Sequence, residues 1–456
     1  MLGIDLSAAA WRITRVTRSA AGWRALGAAV LLLAAVPLAW HYLVDYPPEN
    51  WQVDLEVYRE GARALVTGVP LYDLRTDAPQ FLPFTYPPFA ALAALPLLAA
   101  SFHAVGWLWT LAQLALLWWT VGVAFRPFLE RFGPRAGLVQ GLLAAGGAWL
   151  LPVSEGVRYG QVNAVVVALC LWDVTRRGRV AGGGSGTAPG RAWAGGSGVG
   201  VGLATAVKLT PAVFWLHWAA ARRWRVLAVS VGTAVGVTAA TALVLPAASA
   251  SYWTDALLDP GRLGPNAGTS NQSLRGLLLR VGPGEGPLAS ALWVALAAAV
   301  VVAGLALSRR LDRLGEPVAV VAAVGLVAYL VSPVSWVHHL HWGVVVAGAL
   351  LGDGRVRGRV VAAAVAAALL WLRLPWWGAS LLAGGDVPRW LARAVQSSYT
   401  ELALLGLVAL WWFVARRPAG TAPEAAAAPA DDAVSGAVSG AAGGASAQPT
   451  SRALRA

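Results

Sequence analysis

The sequence predicts an all-α polytopic membrane protein with about 10–12 transmembrane or re-entrant helices, and three observations carry that reading. The 456 residues are 57% hydrophobic and only 12% charged, with a mean hydropathy of +0.60. Apolar runs close to the ~20 residues needed to cross a bilayer recur along the chain. The basic residues gather in short segments between those runs. Of the 35 Lys and Arg, 24 fall in the N-terminus, in 126–135, 176–191, 222–225, 309–313 and 355–359, at 416–417 and in the tail. The net charge of +13 therefore reads as cytoplasmic loops under the positive-inside rule, not as a nucleic-acid surface. A single cysteine, Cys170, excludes an internal disulfide and a cysteine metal cluster.

The elements follow in order. Residues 1–24 are a cytoplasmic N-terminus, and the transmembrane domain runs over 25–417. The first apolar run, 25–44, follows Arg12, Arg15, Arg18 and Arg24 like a signal peptide. The bulky His41-Tyr42-Leu43-Val44-Asp45 replaces a small-residue cleavage site, so this run is read as a retained helix going out. Residues 45–86 form a long external loop with seven acids: Asp45, Glu49, Asp54, Glu56, Glu60, Asp73 and Asp77. Two of its segments, Val53 to Thr67 and the stretch leading into Phe84, read as amphipathic helices on the membrane surface. The stretch 87–103 opens with Pro87-Pro88 and is a partial helix.

Residues 104–125 return, 136–152 go out and 157–174 return. Residues 226–246 go out and 288–307 return. Residues 317–352 have basic loops at both ends and form a hairpin with its apex, Ser332 to His341, outside. Residues 360–378 go out and 399–415 return. Residues 196–220 also lie between basic loops but are too short for two crossings. Pro211, after Lys208, disfavours a continuous helix, so this is a broken re-entrant pair buried in protein or lining a cavity. The Gly/Ser-rich 181–200 reads as a flexible loop, and the Ala/Gly/Ser/Pro-rich 418–456 as a disordered cytoplasmic tail.

On this topology four polar motifs, distant in sequence, lie on one side of the membrane: Asp54 to Tyr58, Tyr159 to Asn163, Asn271 to Ser273, and Ser332 to His339. Polar groups at membrane depth are costly, so their convergence predicts a site. Taken singly, each has an ordinary reading. Asp54 starts a helix, where acids favour the dipole. Gln161 and Asn163 either read sugar hydroxyls or glue helices. Asn271 and Gln272 follow a Gly/Pro-rich run as turn residues would. Lys208 is the only lysine of the chain; it either snorkels or faces a ligand. Glu155 and Arg158 have the spacing of a local pair. His338, His339 and His341 lack the third ligand and the HExxH spacing of a zinc site, which leaves packing or the binding of phosphate or sugar. Most of the 24 tryptophans belong to interfacial belts; Trp336, inside the apex, is the one placed to stack on a sugar.

The motifs carry a resemblance. Asp54-x-x-Val57-Tyr58, Gly68-x-x-Leu71-Tyr72, Tyr86-Pro87-Pro88, Gly160-Gln161-Val162-Asn163, Lys208-x-Thr210-Pro211, Asn271-Gln272-Ser273 and Ser332-Pro333-x-Ser335-Trp336-x-His338-His339 stand in the order of glycosyltransferase family 87, from Asp54 to Trp342. That family resembles actinobacterial polyprenyl-phosphate-mannose-dependent α-1,2-mannosyltransferases, and the Ala/Arg-rich, Lys-poor composition suits such a source. Arg59 and Glu60 depart from it, being charged where less polar residues are expected. The resemblance implies a GT-C-type fold, with the catalytic aspartate, here Asp54, in the first external loop. It implies a lipid-linked sugar donor and a glycolipid or lipoglycan acceptor at the outer face of the plasma membrane. No cofactor is expected, and a metal is not required, because the lipid phosphate leaves as a stabilised anion.

Asp54 is then the candidate general base, and Tyr58, Tyr86, Gln161, Asn163, Lys208, Asn271, Gln272, Trp336, His338 and His339 are the candidate substrate-binding residues. A single in-line displacement needs one carboxylate and inverts the anomeric centre. The departing lipid phosphate needs cationic or hydrogen-bonding groups beside it. Two alternatives stay open: a polyprenyl-phosphate-arabinose donor, or a transporter or flippase of a lipid-linked sugar, which would place polar residues on both sides.

Overall fold

The computed structural model describes residues 19–176 and 197–416, and among them every regular element is helical. Of the loop expected to be flexible at 181–200, residues 181–196 fall outside the described residues, as does the tail 418–456, while 197–200 lead into a helix that begins at Val199. The first helix, α1 (Ala20–Trp40), starts where Ser19 Oγ accepts the Gly22 N–H at 3.0 Å. It packs on α5 (Ala136–Ala148) through Gly27, Gly137 and Gly141, where a Cβ on any of the three would strike the facing backbone. Small residues of this kind let two membrane helices approach closely.

In the loop that follows, α2 (Val53–Thr67) occupies the predicted range. Asp54 and Glu56 lie in its first turn, and Gly68 ends it at φ +76°. The stretch leading into Phe84 is not a helix. Residues 68–87 run as turns with an isolated bridge between Arg75 and Pro83. Pro70, Pro79, Pro83 and Pro87 remove the backbone donors a helix would need there. The short α3 (Pro88–Ala93) is the expected partial helix, and α4 (Phe102–Ala124) crosses next.

The span read as 136–152 breaks. α5 ends at Ala148 and α6 (Leu151–Tyr159) leaves at 72°, with Pro152 in its first turn. Gly160, at φ +68°, stops α6, and α7 (Asn163–Thr175) runs back. The pair predicted around Lys208 is present as α8 (Val199–Val207) and α9 (Val213–Ala220), with extended backbone at Lys208 (φ −151°, ψ 123°) and a 3-10 turn at Thr210–Ala212. Buried Asp173 of α7 holds the start of α8: its carboxylate accepts from the N–H groups of Ser197, Gly198 and Val201 at 2.7, 2.9 and 3.0 Å.

α10 (Trp224–Val244) and α12 (Pro287–Arg313) flank this pair, and between them lies the short α11 (Leu274–Val281), which sequence reading missed. α10 and α12 are largely unburied and apolar, as lipid-facing spans are. Arg223 joins them at the basic end by a fork to Asp312 at 2.7 and 3.1 Å. The hairpin is formed by α13 (Pro317–Val331) and α14 (Gly343–Leu351), with its apex at 332–342. Both helices are apolar all round, and both are buried nearly throughout, so they form the core. The span read as 360–378 is also bent. α15 (Arg357–Trp371) gives way at Leu372-Arg373 to α16 (Leu374–Gly384), 53° away, with Pro375 in the first turn. The short amphipathic α17 (Arg389–Gln396) precedes α18 (Ser398–Leu410).

Among the described residues five helices are long and apolar enough to cross a membrane, or up to seven when each bent pair counts as one span. Three shorter apolar helices lie among them. The chain is a multi-pass membrane protein.

Candidate active site

The site is built where α2, α6, α7, the Lys208 break and the hairpin apex meet, at the end of the bundle away from the basic loops at 222–225 and 309–313. Gln52 sets the position of α2. It precedes the helix in the left-handed region, at φ 44°, and is fully buried. Its Nε2 donates to Thr110 Oγ1 at 3.1 Å and to the Val157 carbonyl at 3.2 Å, tying α2 to α4 and α6. Gly160 allows the approach: a Cβ there would lie 2.6 Å from Leu55 Cβ. Neither role was legible in the sequence, although Gly160 stands inside a motif.

Asp54 projects from the first turn of α2 and remains partly exposed. Its Oδ2 accepts from Gln161 Nε2 at 2.6 Å, a short charge-assisted bond. Burial pushes its carboxyl up to about 6; the Gln161 bond and the Lys208 charge pull the other way. Gln161 is buried, and its Oε1 accepts from the Tyr58 hydroxyl at 3.2 Å. The Tyr58 and Tyr86 hydroxyls lie 3.0 Å apart. Tyr58, Tyr86, Gln161 and Asp54 thus form one hydrogen-bonded chain.

Lys208 faces the interior from its helix break. Its Nζ donates to Asn163 Oδ1 at 3.1 Å, lies 3.0 Å from His339 Nε2 and is 5.8 Å from the centre of the Tyr86 ring. Asn163 in turn donates to the His338 carbonyl at 3.1 Å. His339 Nδ1 accepts the Trp336 N–H at 3.2 Å, so both ring nitrogens are engaged. The His338 ring packs 5.1 Å from Tyr159 and 4.8 Å from His339, with Nε2 buried and unpartnered. A small cavity opens beside Lys208, Asn163 and His339, and Tyr329, Ser335 and Trp342 also line it. Among the described residues no three His, Cys, Asp or Glu side chains converge as a metal set would.

Asn271 and Gln272 stand apart from this cavity. Both are fully buried and every amide atom is occupied by protein. Asn271 Oδ1 accepts from the N–H groups of Ser273 and Ser335 at 3.1 and 3.0 Å, and its Nδ2 donates to the Asn266 carbonyl at 2.8 Å. Gln272 Nε2 donates to the Thr269 and Gln396 carbonyls at 2.7 Å each, and Oε1 accepts from the Tyr399 N–H at 3.1 Å. Within the protein their amides brace the apex. Trp336 is bridged to Asn271 and lies half-buried beside Gly264. Arg59 is spent on the Leu97 and Ala100 carbonyls at 3.3 and 3.2 Å, and Glu60 pairs with Arg63.

An apolar helical bundle that holds a carboxylate on an amide, and a lysine between an amide and an imidazole beside a cavity, has the groups a membrane transferase needs. Comparison with known proteins gives the family. The chain matches glycosyltransferase family 87 over residues 84–333. It is 35% identical, over 82% of its length and 81% of the relative's, to a polyprenol-phosphate-mannose-dependent α-(1-2)-phosphatidylinositol pentamannoside mannosyltransferase of Mycobacterium tuberculosis (strain CDC 1551 / Oshkosh). It is 36% identical, over 67% of its length and 70% of the relative's, to the protein of that name from Mycolicibacterium smegmatis (strain ATCC 700084 / mc(2)155). It is 31% identical, over 89% of its length and 92% of the relative's, to a polyprenol-phosphate-mannose-dependent α-(1-2)-phosphatidylinositol mannoside mannosyltransferase of Mycobacterium tuberculosis (strain ATCC 25618 / H37Rv). No solved structure matches. The chain belongs to glycosyltransferase family 87 and is an α-mannosyltransferase-like glycosyltransferase. The family match begins after Asp54 and ends before His338.

Proposed function

We propose that residues 25–417 transfer a mannosyl group from polyprenyl-phosphate mannose to a hydroxyl of a phosphatidylinositol mannoside, at the outer face of the plasma membrane. The observation that carries this reading is that Asp54, held by Gln161 at 2.6 Å, lies close enough to feel the charge of Lys208, which joins Asn163 and His339 at the cavity wall. The relatives' names supply the donor and acceptor classes. The excess of basic residues at the opposite end supports the outer face.

The chemistry is one in-line displacement. The acceptor oxygen forms a bond to the mannose anomeric carbon while the bond from that carbon to the phosphate oxygen breaks. Asp54 takes the hydroxyl proton, and the polyprenyl phosphate leaves with the bonding electron pair. A single carboxylate suffices, and the anomeric centre inverts, so a β-linked donor gives an α-mannoside. Lys208 and His339 stand where a leaving phosphate would need positive charge and hydrogen bonds. Tyr58 and Tyr86 orient Gln161 and present hydroxyls to the sugar.

The test is an assay of purified protein against a panel of polyprenyl-phosphate sugars, with phosphatidylinositol mannosides as acceptors. Mannose transfer in α linkage is the expected result. Transfer from the arabinose donor alone would replace the donor in this reading, and lipid-linked sugar movement without transfer would overturn it.

A further inference from the structure

A second cationic centre lies along the same polar strip. Arg158 is the penultimate residue of α6, and its guanidinium donates to both carboxylate oxygens of buried Glu155, at 3.0 and 3.3 Å. It lies 4.7 Å from the Tyr159 ring and 5.0 Å from that of Tyr46. Its Nε–H is shielded from water and has no protein partner. Arg373, at the bend between α15 and α16, acts on the same Glu155 carboxylate. Glu155 thus bonds one guanidinium, that of Arg158, and lies within the field of a second. The remaining titratable groups around this pair, Tyr42, Tyr46 and Tyr159, are phenols. The Tyr159 ring touches His338, whose Nε2 is also buried without a partner. His338 adjoins His339, which reaches Lys208. The strip therefore runs from Lys208 to Arg158 with a cation at each end and aromatic and imidazole rings between.

We infer that Arg158, together with Tyr159 and His338, is a second anion site that takes the phosphodiester of the acceptor lipid. This rests on the proposed function, in which both substrates are phospholipids. The donor phosphate belongs beside Lys208 and His339, and the phosphatidylinositol phosphate is a second anion to be placed. An arginine with a free Nε–H between aromatic rings suits a phosphodiester, because the planar guanidinium donates in a fixed direction while its charge is only weakly hydrated. Arg158 and Lys208 are linked through three ring contacts of about 5 Å each, so the two cations are set apart along one strip.

The experiment compares two acceptors at saturating polyprenyl-phosphate mannose: a phosphatidylinositol mannoside and an alkyl mannoside without phosphate. Arg158→Lys keeps a cation for Glu155 and lacks the Nε–H. We expect it to raise the KM of the phosphatidylinositol mannoside about 10-fold, while the KM of the alkyl mannoside stays within about 2-fold. Arg373→Gln, which lowers the charge of the cluster without touching the Tyr159 stack, should shift the same KM in the same direction by less. Equal changes for both acceptors, or no change for either, overturn the inference. If activity of the variant instead depends on added phosphatidylglycerol with both acceptors, the site takes bulk lipid and the acceptor assignment is wrong. Wild-type transfer to either acceptor is the internal control: its absence defeats the proposed function, whereas its presence without a differential effect defeats this inference alone.

Discussion

Lys208 Nζ lies 3.0 Å from His339 Nε2, a contact that joins two segments 131 residues apart at the wall of the cavity. The contact depends on two irregularities. The extended backbone at Lys208 interrupts a short helix pair, and the 3-10 apex turns His339 inward. Irregular backbone at membrane depth is tolerated only where protein or a water-filled cavity surrounds it, which is the case for both.

Replacing Lys208 by Met should lower kcat/KM by about 10²-fold or more, the scale of losing one preorganised group that stabilises transition-state charge. Lys208→Arg should not restore it. The slot accepts one nitrogen between Asn163 Oδ1 and His339 Nε2, at 3.1 and 3.0 Å, and a planar fork does not fit there. Steady-state kinetics with donor and acceptor varied separately checks both. Near wild-type turnover in Lys208→Met would remove the lysine from the site.

Asp54→Asn should keep donor KM and lose about 10²-fold or more in kcat, because the amide retains the shape and cannot take a proton as a carboxylate does. Glu56→Gln and Glu60→Gln in the same helix are the controls and should cost less than about 3-fold, well below the range of general-base help. Glu60 is occupied by Arg63 at 3.1 Å. If all three variants fall alike, the loss lies in the charge of the loop and Asp54 is not the base.

The pH profile has a definite sign. Asp54 titrates near 6, raised mainly by burial, and only its ionised form accepts a proton. The rate should therefore rise with pH below about 6 and level off above it, and the acid limb should vanish in Asp54→Asn. A folded pKa above the unfolded value of 3.8 means that the ionised carboxylate opposes folding above that range. Removing it should leave the melting temperature at pH 7 unchanged or higher. A lower melting temperature would contradict the burial argument.

Asn271→Ala and Gln272→Ala should act on stability and spare both KM values. Truncating Asn271 strands the N–H groups of Ser273 and Ser335, and truncating Gln272 strands that of Tyr399. A buried donor left without its acceptor costs about 1–3 kcal/mol. Thermal unfolding in detergent, alongside KM measured on the folded fraction, separates this from a sugar-binding role; an acceptor KM that rises with the melting temperature intact would restore them as ligands.

How much of this was legible in the chain depends on whether the signal was local. Helix α2 was readable residue by residue, because Asp54 and Glu56 in its first turn and Gly68 at its end are local instructions. The break at Lys208 was readable from Pro211. The bends after Ala148 and Trp371 had signals in Pro152 and Pro375, outvoted by the continuous apolar runs around them. The stretch before Phe84 was misread for the same reason, its prolines weighed too lightly against its amphipathic pattern.

By itself the sequence determined the class of the protein, the order of its spans and the end of the bundle where its polar motifs gather, since hydropathy, charge and chain breaks act through nearest neighbours. Tertiary structure alone decided which polar groups have a partner. Gln161 and Gln272 are the same side chain in similar motifs. One holds Asp54 from 107 residues away, while the other is consumed by the Thr269 and Gln396 carbonyls and the Tyr399 N–H. An amide's donors and acceptors are identical in both places, so its role is set by what folding brings within about 3 Å of it.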